Sequence, residues 1–136
     1  MKGLEKIIHQ NKTFAIILRQ AFRPKEREFF TLDKNPLQFG IHSRGRGERI
    51  GFHKHLLKRP LKVSSIQEFL FLRKGKVRVD FFEENDQKIK SVVLKTGDGI
   101  LILEGGHGIE FLESSELLEV KQGPFLENST IKLKSF

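Results

Sequence analysis

Two histidines stand one residue apart in His53-Lys54-His55. In an extended chain, side chains at i and i+2 point to the same face. Two imidazoles side by side fill a core poorly, because each neutral ring carries a donor and an acceptor to satisfy. They make a good half of a metal site, since imidazole suits Zn, Fe, Ni, Cu and Mn. A carboxylate follows at Glu68, which opens the otherwise apolar run Glu68-Phe69-Leu70-Phe71-Leu72. A carboxylate facing a core needs a partner, and a cation supplies one. A further imidazole, His107, sits inside Gly105-Gly106-His107-Gly108. Glycine there permits a tight turn and close backbone approach. His9 has no such setting and reads as an ordinary surface or core histidine.

Strands must position these residues. The chain has 136 residues, the length of one domain. We divide it into an N-terminal extension over 1–36, a core over 37–125 and a C-terminal strand or tail over 126–136. Only residues 2–10 carry a helical stripe, Leu4, Ile7 and Ile8, which predicts a short N-terminal helix. The apolar, β-branched stretch 14–18 predicts a strand. From residue 37 onward, short alternating segments are punctuated by Gly, Asn and Asp. Strands predicted at 37–42, 50–55, 67–72, 77–81, 89–94, 100–103, 109–111, 117–121 and 131–133 argue for an all-β sandwich or barrel.

Arg44-Gly45-Arg46-Gly47 reads as a hairpin turn. Such a hairpin would bring Gln38 and His42 to the face of His53 and His55, with His42 as an acid–base group. A slip of one residue would turn them outward. Arg44, Arg46 and Arg49 would gather at one end of that hairpin, where guanidinium groups can meet a phosphate or carboxylate. Gln67 neighbours Glu68 with opposite facing and takes its place if the register shifts by one.

Composition narrows the function. The absence of Cys excludes disulfides, thiolate metal sites and cysteine nucleophiles, and the aromatic content is 13 Phe without Trp or Tyr. Lys and Arg outnumber Asp and Glu by 25 to 17, and residues 1–65 hold 15 of the basic and 5 of the acidic groups. A basic half can attract nucleic acid, anionic lipid or phosphorylated small molecules. Its cations are scattered, without Tyr or Trp for base stacking, which argues against nucleic acid. Apolar runs such as 15–18 fall far short of the roughly 20 residues of a membrane span. Neither a membrane partner nor a signal peptide is expected, and the default location is the cytoplasm.

The histidine, glutamate and glycine positions together resemble the two motifs of the cupin superfamily. Gly51, His53-Lys54-His55, Glu68 and Gly75 parallel the first, although the twelve residues 56–67 fill a normally much shorter gap. Gly97-Asp98 and Glu104-Gly105-Gly106-His107 parallel the second, without its usual Pro. A closer likeness is to small bacterial cupin-fold proteins associated with polysaccharide or nucleotide-sugar genes. It extends to Arg73-Lys74-Gly75-Lys76-Val77-Arg78-Val79-Asp80 and Glu119-Val120-Lys121-Gln122-Gly123-Pro124.

The resemblance implies a double-stranded β-helix, the cupin or jelly-roll barrel, with the N-terminal helix and strand added. It implies one divalent transition metal, Fe, Mn, Ni or Zn, held by His53, His55, Glu68 and His107. The ion would activate a bound oxygen of a small polar molecule, such as a sugar or nucleotide-sugar, while His42 moves a proton. Gln38, Arg49 and Lys121 would contact that substrate. Isomerase, epimerase and dioxygenase chemistries stay open, and the alternative is a non-catalytic metal- or sugar-binding module. Stretch 14–18 would add to a partner's sheet and make a homodimer.

Overall fold

The structure, a computed structural model, describes residues 2–131. In chain order its strands are β1 (Leu4–His9), β2 (Lys12–Leu18), β3 (Arg27–Phe29), β4 (Gly40–His42) and β5 (Glu68–Lys74). There follow β6 (Lys76–Phe82), β7 (Lys88–Lys95), β8 (Gly99–Ile102), β9 (Gly106–Phe111) and β10 (Glu116–Lys121). The described residues contain no helix. They form a large antiparallel sheet of order β1-β2-β8-β5-β10, a smaller one of order β7-β6-β9, and the two-stranded ribbon β3-β4.

The expected N-terminal helix is a strand. Gln10 and Asn11 adopt φ of 49° and 63°, the left-handed pair that a two-residue hairpin turn needs. β1 therefore folds back on β2. Leu4 and Ile7 fit a helical stripe by spacing, yet here they serve opposite faces of one strand. Ile7 enters the core between the sheets, and Leu4 packs on the outer side of the large sheet. A bulge between Ile7 and Ile8 leaves Phe14 outside the pairing register, and its ring turns into the inter-sheet core.

Burial on both faces explains the unbroken apolar runs of β2 and β8. Ala15, Ile17, Leu70, Leu72, Ile100 and Ile102 of the large sheet meet Val77, Val79, Phe81 and Leu94 of the small sheet in one cluster. On the other side, Ile16, Leu101 and Leu103 are covered by Phe30, Leu37, Phe39 and Phe69. Those phenylalanines interlock, with Phe30, Phe39 and Phe69 rings 5.1–5.7 Å apart in sequence, within the range of favourable aromatic pairs. One buried carboxylate, Asp98, is fully employed. It accepts from the Gln20 and Lys95 amides at 2.9 Å and pairs with Arg19 at 2.9 Å.

The expected double-stranded β-helix is not formed, because all three sheets are open. Its closure would require a strand over 50–55. Residues 43–67 contain none, and residues 43–64 are exposed on both faces of any alternation. A one-strand pattern without a neighbour leaves backbone groups to water and forms no ladder. β4 instead pairs with β3, placing Gly40 opposite Phe29 and His42 opposite Arg27. β2 has β1 on one edge and β8 on the other, so the stretch expected to join a partner's sheet has no free edge. A dimer built by strand addition would have to use the outer strands β1 or β10. No strand occurs over 122–131, and residues 132–136, which include the rest of the strand expected at 131–133, lie outside the described residues.

A single residue, Gly75, connects β5 of the large sheet to β6 of the small one. Its φ is 108°, and a Cβ there would overlap Ser115 Oγ and lie 2.6 Å from the Ser114 carbonyl oxygen. Gly75→Ala is expected to destabilise the protein by at least about 2 kcal/mol, through backbone strain and that clash. Urea unfolding of the variant beside wild type measures it; an unchanged midpoint would show that the corner can relax.

Candidate functional site

At the end of the core remote from Gly75, aliphatic side chains give way to ionisable ones. Along β5 the inward positions run Leu72, Leu70, Glu68. Along β9 they run Ile109 then His107, with His107 opposite Phe81 of β6. On β10, Leu117 packs against the core, and Glu119 and Lys121 continue its face by the period of two. Register sets Lys121 opposite Glu68 and Glu119 opposite Leu70. The strand order thus brings residues from three separate stretches of sequence to one mouth between the sheets.

Glu68 lies at the centre of this group. Its side chain is only 12 % exposed, and Oε2 stands 3.5 Å from Nε2 of His107, whose side chain is 27 % exposed. Burial, followed by a hydrogen bond with Glu119 and the charge of that carboxylate, raises the Glu68 pKa to about 7; the Lys121 ammonium pulls the other way. Glu119 moves oppositely, lowered first by the hydrogen bond from Glu68 and then helped by the Lys121 and His107 charges. Two carboxyl groups can share a hydrogen bond only if one is protonated, so buried Glu68 donates and exposed Glu119 accepts. Burial lowers the His107 pKa, against the Glu119 charge that raises it. Although its distance is that of an ion pair, the Glu68–His107 contact joins a carboxyl that holds its proton up to about pH 7 to an imidazole whose burial favours the neutral form. At 3.5 Å it is too long for a good hydrogen bond.

Both groups face a cavity of about 400 Å³. Ile66, Ile102 and Leu103 supply apolar wall, while Lys12, Ser65, Glu84 and Glu104 supply polar wall. Gly105, also in the wall, has φ of 75°. A Cβ there would lie 2.6 Å from the Phe82 carbonyl oxygen and against the Phe14 ring, so only glycine lets the chain turn into β9 at this point.

The structure brings Glu68, His107 and Lys121 together from the residues singled out by sequence. It does not bring the other candidates. His53 and His55 lie in the exposed segment 43–64, with rings 5.1 Å apart, and His53 Nδ1 is 2.7 Å from its own chain's Gly51 carbonyl. The expected four-residue metal site is therefore not assembled. Among the described residues no group of three or more His, Cys, Asp or Glu side chains could hold a metal ion. Glu68 answers its desolvation by keeping a proton and bonding to a second carboxyl. His42 is exposed, edge-on to Phe29, and Arg49 is exposed in the same segment as the histidines. Gln38 ties its own loop, donating to the Leu32 and Asn35 carbonyls at 3.0 and 2.9 Å. Gln67 is buried on the opposite face, its backbone N–H donating to Gln122 Oε1 at 2.7 Å. His9 stands 3.4 Å from Glu83 and edge-on to Phe14.

Glu119 was missed in the sequence. Its signal is present, since it shares the parity of Lys121 in an alternating strand, but its place beside Glu68 depends on a register that one strand does not encode.

Comparison with protein-family models, with curated proteins and with solved structures finds no match to this chain. The cupin likeness is thus corrected twice, by the open sheets and by the absence of a matching family model. What remains is a small all-β domain with an ionisable mouth between two sheets. No described helix is long and apolar enough to cross a membrane.

Two outcomes follow from this geometry. His53→Ala/His55→Ala is expected to retain the wild-type Glu68 titration by NMR and the wild-type metal content by mass spectrometry. A change in either would show that segment 43–64 closes on the cavity. The second concerns stability. The folded pKa of Glu68 is raised from the ordinary glutamate value of 4.5 to about 7. Its protonated form therefore favours the fold fully below the unfolded value, and that contribution is lost as pH rises through about 7. Glu68→Gln, which stays neutral, should gain a few degrees of Tm relative to wild type on going from about pH 4 to pH 8. A constant difference across that range would mean that Glu68 ionises normally.

Proposed function

We propose that the mouth between the sheets is an acid–base site that binds a small polar molecule and moves a proton on it. One observation carries the reading: a mostly buried carboxyl that keeps its proton to about pH 7 faces a cavity beside a neutral imidazole. General acids and bases work best with a pKa near the operating pH, and burial beside another carboxylate is a standard way to reach it.

The roles follow from the protonation states. Glu68 donates a proton to an oxygen or nitrogen of the bound molecule. His107, free of a proton at neutral pH, accepts one from a second position. Glu119 holds the Glu68 proton in the resting site and, being exposed, links it to solvent for the return transfer. Lys121 keeps Glu119 ionised, so that the proton rests on Glu68. Buried Ile102, opposite Glu68 in the register, withholds water from that side of the carboxyl and favours its neutral form. Net chemistry of this kind is a proton shift, such as enolisation or isomerisation, and it balances without an oxidant or reductant.

The test is isotope exchange. Incubating the protein in D₂O with a panel of hydroxy- and oxo-compounds should give deuterium incorporation into a subset, read by mass spectrometry. Incorporation should follow a bell-shaped pH profile, with its acid limb from His107 and its alkaline limb from Glu68 at about 7. Glu68→Gln should lower the rate about 10²-fold or more while leaving binding in place. Incorporation insensitive to both Glu68→Gln and His107→Ala, or a Glu68 titration near that of a solvated carboxylate, would overturn the proposal.

A further inference from the structure

Residues 43–64 form no strand or helix and are exposed throughout. Such a stretch is normally polar, and this one is not. Phe52 is fully exposed, and Ile50, Leu56, Leu57, Leu61 and Val63 are each more than half exposed. Between them stand Arg44, Arg46, Arg49, Lys54, Lys58, Arg59 and Lys62, against the single acid Glu48. None of these seven cations forms an ion pair with a described carboxylate. Six large exposed apolar side chains and seven cations without an ion pair to a described carboxylate thus share one exposed stretch of chain.

We infer that this segment is a docking surface for an anionic lipid bilayer. Charge complementarity selects an anionic partner, since each Lys or Arg gains attraction near a negatively charged leaflet. The apolar side chains then select among anionic partners. A phosphate backbone would neutralise the cations but leave Phe52, Leu56, Leu57 and Leu61 in water. A bilayer offers headgroup phosphates and acyl chains within a few ångströms of each other, so it takes both kinds of side chain at once. Phe52 and the Leu56-Leu57 pair would enter the boundary between headgroups and chains. Long Lys and Arg stems can lie along the same surface with their charges at the phosphates. A short apolar run excludes a segment that spans a bilayer and has no bearing on one that lies on it.

The inference stands apart from the acid–base site, because none of residues 43–64 lines that cavity. It is tested by co-sedimentation of the full chain with vesicles of phosphatidylcholine alone, and of about three parts phosphatidylcholine to one part phosphatidylglycerol. Binding should be at least about tenfold stronger to the anionic vesicles and should weaken with added salt. Phe52→Ser/Leu56→Ser/Leu57→Ser should weaken it at least about tenfold, with circular dichroism unchanged because these side chains touch no core. Arg44→Gln/Arg46→Gln/Arg49→Gln should weaken it to anionic vesicles alone. Three results would overturn the inference: no sedimentation with either vesicle; anionic binding that the apolar triple variant leaves unchanged; or complete displacement by duplex DNA, single-stranded RNA or an acidic peptide at equal charge.

Discussion

The chain leaves one sheet and enters the other through Gly75, and much else follows from that corner. With one residue between β5 and β6, the inner faces of the two sheets have to meet close to it. Leu72, just before the corner, and Val77, just after it, are both fully buried. From there β5 and β6 each carry their inward positions away from the corner, and the sheets' neighbouring strands join in register. Aliphatic contacts near Gly75 supply the burial that holds the sandwich together. The opposite end, where β5 begins and β6 finishes, can then carry groups that contribute nothing to cohesion. Glu68 and His107 occupy that end, which is why a buried acid is tolerated there and would not be tolerated at Leu70 or Val79.

The carboxyl at that end has a carboxyl partner, although a lysine lies directly opposite in the register. An ammonium held against Glu68 would have favoured its ionised form. Lys121 is exposed, and its charge is the weakest influence on Glu68, set against burial and Glu119. Glu119 is closer in effect, and a neighbouring like charge favours the neutral state. The two glutamates differ chiefly in burial, and that difference decides which of them keeps the shared proton. Exchanging their environments would exchange their roles, because the hydrogen bond between them is indifferent to its direction.

Much of the strand set was legible because alternation and turn chemistry are local properties. Val77-Arg78-Val79-Asp80-Phe81 alternates, Asp86 takes the positive φ that its turn needs, and Gly97 does the same before β8. Glu68 and His107 were visible for a related reason, as chemically unusual residues in otherwise simple patterns, whereas Lys121 entered only through the cupin resemblance. The failures share one cause, since local pattern does not name a neighbour. Residues 50–55 alternate as well as β6 does, yet nothing pairs with them. Leu4, Ile7 and Ile8 fit a helix by spacing, yet Leu4 and Ile7 equally fit the two faces of a strand, and Ile8 is left exposed. The His53-Lys54-His55 arrangement points both rings one way only if the segment is a strand in a sheet. Glu119 became significant only when β10 was laid beside β5.

Segment 43–64 marks the limit of that argument from the other side. Its composition is apolar enough to seek burial, and the two cores are already complete without it. The inner core is closed by the two sheets, and the outer face of the large sheet is covered by Phe30, Leu37 and Phe39. Seven cations within one stretch also repel each other if the segment compacts on itself. Both effects drive the segment outward, toward a surface that can accept charge and apolar area together. What the fold leaves uncovered here is therefore set by what its cores no longer need.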